Sequence, residues 1–200
     1  MTTFLLVRHA SHDLLGKALA GRASGVVLNA QGRDEAAATA ECLLQTRIDA
    51  IYTSPRERAR ETADALAQRL KTSARVDSAL DEIDFGDWTG RAFGELCADP
   101  KWNEWVHRRS VARPPNGEAF VDVQRRVIAG MDRLLREHSA QTLALFSHGD
   151  VIKAALAHHL RTSLDDLERF DIAPASVSVI VAEKDWAQVR LLNGRSLPFS

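Results

Sequence analysis

Phe4-Leu5-Leu6-Val7-Arg8-His9-Ala10 runs from four consecutive apolar residues straight into a cation and an imidazole. A strand with one solvated face alternates apolar and polar residues. An unbroken apolar run therefore predicts a strand covered on both faces, as in a parallel sheet flanked by helices. The polar residues that follow leave the sheet at its carboxyl rim, where open α/β sheets collect ligands. The plan recurs at Thr142-Leu143-Ala144-Leu145-Phe146, followed by Ser147-His148-Gly149-Asp150. Two parallel strands of this kind bring His9 and His148 to the same rim.

Between these runs, the alanine-rich residues 32–46 predict a helix and residues 50–53 a short strand. Ser54-Pro55 is a favourable helix start, with serine as N-cap and proline in the first turn. Ala59, Ala63, Leu66, Ala67 and Leu70 then recur at helical spacing. Residues 75–77 predict a weak strand. Residues 118–138 predict a helix, with Phe120, Val123, Val127, Met131, Leu134 and Leu135 on one face, and a further helix runs to about residue 160. Val177, Val179 and Val181 alternate with smaller residues, and a Glu183-Lys184-Asp185 turn leads to Val189 and Leu191, which predicts an edge hairpin. The fold class expected is α/β, a three-layer α/β/α sandwich with a mainly parallel central sheet and an antiparallel edge hairpin. One domain is expected over residues 1–200, with a cap insertion at about 91–117 that carries Trp102 and Trp105 and ends in Arg113-Pro114-Pro115-Asn116-Gly117.

The chain has 26 Lys and Arg against 27 Asp and Glu, a formal charge of −1, and this offers no general field for nucleic acid or anionic lipid. Anion recognition must be local. Cys42 and Cys97 make neither a disulfide framework nor a CxxC pair, and the first residues show no basic leader or spanning segment. The expectation is a cytoplasmic protein without membrane or nucleic-acid partners; the edge hairpin can support a homodimer.

Phosphoryl transfer needs an in-line nucleophile, positive charge on the equatorial oxygens and a proton for the leaving group. His9 can attack as neutral imidazole. Arg8, together with Arg58 near the start of the helix after residue 53, offers forked donors to a phosphate, and a protonated His148 can complete the clamp. Glu82, in the loop after the third strand, can protonate the departing oxygen and then deprotonate water. Helix starts after Ser54 and at Gly149 can add backbone N–H donors.

Four segments in order resemble the histidine phosphatase superfamily, also called phosphoglycerate mutase-like. Val7-Arg8-His9-Ala10 resembles its RHG signature, and Ser54-Pro55-Arg56-Glu57-Arg58-Ala59 its SPLxRA segment. The stretch from Leu80 to Gly90 resembles its acidic LxExxFGxWxG segment, and Ser147-His148-Gly149 its second-histidine motif. The resemblance implies His9 as phosphoacceptor, Arg8, Arg58 and His148 as phosphate ligands, Glu82 as proton donor, and no metal or cofactor. The sequence departs from it at Ala10-Ser11-His12-Asp13, where the family commonly has a glycine and an acidic residue, and at Arg56, read here as an exposed helix residue.

His12, Arg22 and Asp150 lie beside these motifs and are expected, with Gly149, to line the substrate pocket. Trp102 and Trp105, with Arg108, Arg109 and Arg113, form either a selective lid or simple packing. His107, His138, His158 and His159 lack the spacing of a metal site. The function expected is hydrolysis of a small phosphorylated metabolite through a phosphohistidine. The alternatives are a cofactor-dependent phosphoglycerate mutase, a catalytically inactive phosphate-binding scaffold, and a metallohydrolase using His9, His12, His148 and Asp150.

Overall fold

A computed structural model of the chain describes residues 1–198. Strand β1 (Thr2–Arg8) lies inside a six-stranded sheet that also contains β2 (Ala50–Thr53), β3 (Arg75–Val76), β4 (Thr142–Ser147), β5 (Val177–Glu183) and β6 (Trp186–Gly194). The strand order is β3-β2-β4-β1-β5-β6. Pairs β3–β2, β2–β4 and β4–β1 are parallel, and β1–β5 and β5–β6 are antiparallel.

The apolar run of β1 is covered on both faces, and successive side chains point to opposite layers. Phe4 and Leu6 join a core with α5 (Phe120–Glu137) and α6 (Gly149–Leu160). Leu5 and Val7 join a second core with α1 (Ala30–Leu43) and α2 (Glu57–Arg69). This is the expected three-layer arrangement. Among the described residues no helix is long and apolar enough to cross a membrane.

Three local expectations are corrected. Helix α2 does not start on Ser54: its N-cap is Arg56, in extended conformation and without a side-chain cap bond. The Ser54 hydroxyl accepts from Arg56 N at 3.2 Å, as a cap would, but it is also held by the His148 ring at 2.7 Å, and the helix starts only at Glu57. Arg56 is not a free surface side chain either, because its Nε lies 2.8 Å from Asp81 Oδ1. In the edge hairpin the exposed–covered alternation belongs to β6, while β5 is buried along nearly its whole length because its two faces enter the two cores, Val177 and Val179 on one side and Ile180 and Ala182 on the other.

The insertion forms α3 (Phe93–Leu96) and α4 (Pro100–His107), the latter capped by Asp99, which accepts from Lys101 N at 3.0 Å. Trp102 and Trp105 lie 5.2 Å apart between ring centroids and pack against Trp88 and Phe85. The packing reading of these tryptophans therefore holds, and both also face the pocket described next.

Candidate active site

The register that pairs Arg8 with Ser147 ends β1 and β4 at one rim, and His9 N donates to Ser147 O at 2.9 Å. The two histidines leave the sheet side by side, with ring centroids 5.1 Å apart. His9 is buried, and its Nδ1 is 2.9 Å from the carbonyl of Ala10. A carbonyl only accepts, so Nδ1 carries the proton and Nε2 keeps its lone pair. Burial, then the Arg58 and Arg8 charges, hold the His9 pKa well below the ordinary imidazole value. His9 is thus a neutral imidazole at neutral pH, with the Nε2 lone pair free of a proton.

Arg58 is 1% exposed in the first turn of α2. Its Nη2 donates to Gly21 O at 2.9 Å and to His148 Nδ1 at 3.0 Å. Its Nε and Nη1, with Nε of Arg8, are buried without a hydrogen-bond partner among the described residues. Orphaned buried donors cost free energy unless a ligand satisfies them, and here they belong to two guanidinium groups at one rim. Arg8 is steadied by the Ile172 carbonyl and by Gly149, where a Cβ would come within 3.3 Å of the guanidinium. Glycine lets the start of α6 approach the cation closely.

His148 differs from expectation. Its Nε2–H donates to Ser54 Oγ and its Nδ1 accepts from Arg58, which is the neutral tautomer. Burial first, then Arg58 and His9, keep its pKa well below the usual value. The positive charge at this rim is therefore carried by the two arginines, and His148 packs beside them as a neutral, fully buried ring.

Glu82 Oε2 lies 3.4 Å from His148 Nδ1 and 3.7 Å from Arg58 Nη2, while Oε1 accepts from Ile83 N at 2.9 Å. Burial, partly opposed by Arg58 and assisted by Asp150, raises its pKa from 4.5 to about 7. Between those values the folded chain retains a proton that the unfolded chain has lost. The stability linked to Glu82 is therefore present below pH 4.5 and is lost as pH rises through about 7. Glu82→Gln is expected to gain up to about 3 kcal/mol over wild type near pH 8 and little near pH 5. Urea midpoints at the two pH values check this, and equal differences at both would contradict a buried acid.

Arg8, His9, Arg58 and Glu82 face a cavity of about 240 Å³ that also takes in His12, Phe93, Trp102, Trp105, Gly149 and Asp150, whereas His148, expected as a phosphate ligand, is fully buried behind them and is not among its lining residues. Clefts of about 300 and 570 Å³ lie at the other end of the sheet, around Asp132 and the β5–β6 turn, but neither contains an orphaned guanidinium. Size alone does not locate the chemistry. His12 is buried with its ring 5.2 Å from His9, and burial with Arg58 and Arg8 lowers its pKa to about 4. Ser11, at the position where the family commonly has an acidic residue, borrows one from α1: its N and Oγ donate to Glu35 at 2.9 and 3.0 Å.

Arg22, expected in the pocket, is not among its lining residues: its guanidinium is spent on the Glu82 carbonyl at 2.7 Å and on Glu118 at 2.9 Å. Asp150 is in the wall, but its Oδ1 pairs with Arg109 Nη1 at 3.0 Å, which removes it from any set with His9, His12 and His148. Among the described residues no group of three or more His, Cys, Asp and Glu is arranged to hold a metal ion.

Lys153 and Asp171 line the pocket and were not anticipated. Lys153 was within reach, since it follows Asp150 by three residues on one helix. Asp171 lies in a segment without periodicity or motif, and nothing in the sequence marks it.

A family model described as the histidine phosphatase superfamily (branch 1) matches residues 4–195. The bifunctional protein Rv2228c of Mycobacterium tuberculosis is 34% identical over 196 residues, covering 96% of this chain and 54% of that protein. Phosphoserine phosphatase 1 of Hydrogenobacter thermophilus is 28% identical over 198 residues, covering 96% of this chain and 92% of that one. The solved structure of Bacillus stearothermophilus YhfR has a TM-score of 0.90 and 28% identity, covering 96% of this chain and 97% of its own. The chain spans about half the length of the mycobacterial relatives that it matches.

Proposed function

The chain belongs to the histidine phosphatase superfamily, and from that premise we propose that it hydrolyses small phosphomonoesters through a phosphohistidine on His9. The observation that carries the proposal is the set of orphaned donors of Arg8 and Arg58 around a neutral imidazole whose Nε2 is unprotonated. In the first step His9 Nε2 bonds to phosphorus, the bond to the ester oxygen breaks, and Glu82 gives that oxygen its proton. In the second, water loses a proton to the Glu82 carboxylate and attacks phosphorus, and the N–P bond breaks to release orthophosphate. The Nδ1–H bond to Ala10 holds the ring in line and favours the positive charge that develops on it. Burial and then the Arg58 and Arg8 charges hold His12 neutral; a phosphate dianion between the arginines offsets those charges, so His12 becomes a stronger donor once substrate is bound.

The wall beyond the phosphate favours hydrolysis over mutase chemistry. Arg109 is already paired with Asp150 and Glu168, and Lys153 makes no ion pair among the described residues, resting 5.8 Å from the Phe170 ring centroid. A bisphosphorylated intermediate needs a second anion cradle, and these groups supply a single uncommitted charge. The small cavity favours a small metabolite. Unpaired Cys42 and Cys97 fit a reducing, cytoplasmic setting.

A panel of phosphomonoesters including both phosphoglycerates tests the reading. Orthophosphate release is expected to exceed phosphoglycerate interconversion; the reverse order overturns it in favour of a mutase. Glu82→Gln is expected to lower kcat/KM for alkyl phosphates on the order of 10²-fold, and for p-nitrophenyl phosphate by less than about tenfold, because nitrophenolate departs with little protonation. Wild-type kcat/KM for alkyl phosphates is expected to fall above about pH 7, where Glu82 loses its proton. An equal loss on both esters in Glu82→Gln would remove the leaving-group role.

A further inference from the structure

Residues 81–85, which carry Glu82, lie in no helix or strand. The backbone of such a segment must find its hydrogen bonds elsewhere. Glu82 N donates to Asp81 Oδ1 at 2.8 Å, and its carbonyl accepts from Arg22 Nε at 2.7 Å and Arg126 Nη2 at 3.1 Å. Two guanidinium groups thus converge on one carbonyl oxygen, and like charges so placed need an anion between them.

Glu118 is that anion. Its Oε2 accepts from Arg22 Nη2 at 2.9 Å and Arg126 Nη2 at 3.2 Å, and its Oε1 from Arg126 Nε at 2.8 Å. Its main chain is tied to the same loop, since Glu118 N donates to Asp84 O at 2.7 Å. Gly117 permits the approach, because a Cβ there would stand 2.5 Å from Asp84 O. Arg126 is further anchored on Ala79 O at 2.9 Å. Glu118 does not line the pocket.

We propose that Glu118 is a positioning residue for proton transfer: by holding Arg22 and Arg126 on the main-chain carbonyl of Glu82, it aims the Glu82 carboxyl at the leaving oxygen. The proposal rests on Glu82 being the acid. The three-residue clamp joins the first loop of the chain, the segment after β3 and the start of α5, so that the end of the insertion and the acid loop move as one piece. The effect on chemistry is specific. A displaced Glu82 impairs protonation of a poor leaving group while the His9, Arg8 and Arg58 end of the site remains intact.

The test compares Glu118→Gln, Arg126→Lys and Glu82→Gln in the full chain, with kcat/KM read on an alkyl phosphate and on p-nitrophenyl phosphate. The quotient of the two values does not depend on the fraction of folded protein. Glu118→Gln is expected to lose about tenfold or more on the alkyl ester and less than about threefold on the activated one, with Arg126→Lys between it and wild type. Its alkaline limb is also expected to move to lower pH: Arg22 keeps Asp81 at 3.5 Å and Asp84 at 3.8 Å, but Arg126 loses its carboxylate partner, and the added positive charge beside the loop favours ionised Glu82. If Glu82→Gln discriminates between the esters and Glu118→Gln does not, whether through equal loss on both or loss on neither, the positioning role is overturned. If Glu82→Gln itself fails to discriminate, the acid assignment fails first, and the clamp is then only a structural tie.

Discussion

Replacing His9 with alanine is expected to lower kcat by about 10⁴-fold or more, the scale on which removal of a covalent nucleophile is felt. No neighbour can take over. His148 has its Nε2 on Ser54 and its Nδ1 on Arg58, and both ring nitrogens are held off the phosphate line. The readouts are steady-state hydrolysis and acid-labile phosphate on the protein after rapid quenching with a labelled ester. Phosphoprotein should vanish with the turnover. The substitution leaves a ring-sized space beside Arg8 and Arg58, so imidazole added to the assay should restore part of the rate while the fold stays intact. Hydrolysis at the wild-type rate in His9→Ala would remove the nucleophile assignment.

Arg58→Ala is expected to lower kcat/KM by about 10³-fold, comparable to loss of an oxyanion donor. Two of the donor atoms left without partners among the described residues belong to this side chain, which is buried within the site. Arg58→Lys should recover little, because an ammonium is a point charge and cannot present the fork. The pH profile should also shift. Arg58 lowers the pKa values of His9, His148 and Glu82, so in its absence all three rise and both limbs of the bell move to higher pH. Orthophosphate inhibition should weaken in parallel. A variant with unchanged kcat/KM and phosphate affinity would show that Arg8 alone makes the cradle.

Much of the architecture was legible from particular residues. Phe4-Leu5-Leu6-Val7 and Leu143-Ala144-Leu145-Phe146 read as doubly covered strands because only a buried parallel strand tolerates so many apolar residues in succession, and β1 and β4 are adjacent and parallel. The amphipathic stretch after Glu118 gave α5, with Phe120, Val123, Val127, Met131 and Leu134 buried as spaced. His9, His148, Arg58 and Glu82 meet where their motifs foretold, and the Glu82 carboxyl is buried enough to keep a proton near neutrality.

Other readings failed for one shared reason. Ser54 has every local mark of a helix cap and accepts from Arg56 N, yet its hydroxyl is shared with a histidine 94 positions later and the helix begins at Glu57. Arg22 reads as a cation near an anion site and Arg56 as an exposed helix residue, yet carboxylates from distant segments claim both. Arg109 sits in a stretch of three marked arginines, and only its stacking 4.5 Å from the Trp105 ring centroid and its pairing with Asp150 single it out.

What the sequence determined by itself is whatever depends on near neighbours along the chain: strand and helix periods, the turn-rich acid loop, and which residue types stand at the end of each strand. Tertiary structure alone decided the allocation of charge and hydrogen bonds. Whether a buried arginine faces a phosphate or a carboxylate, whether His148 is charged, and what holds the Glu82 loop all depend on groups tens of residues away. Energies of such contacts are set by distance and burial in space, to which spacing along the chain is blind.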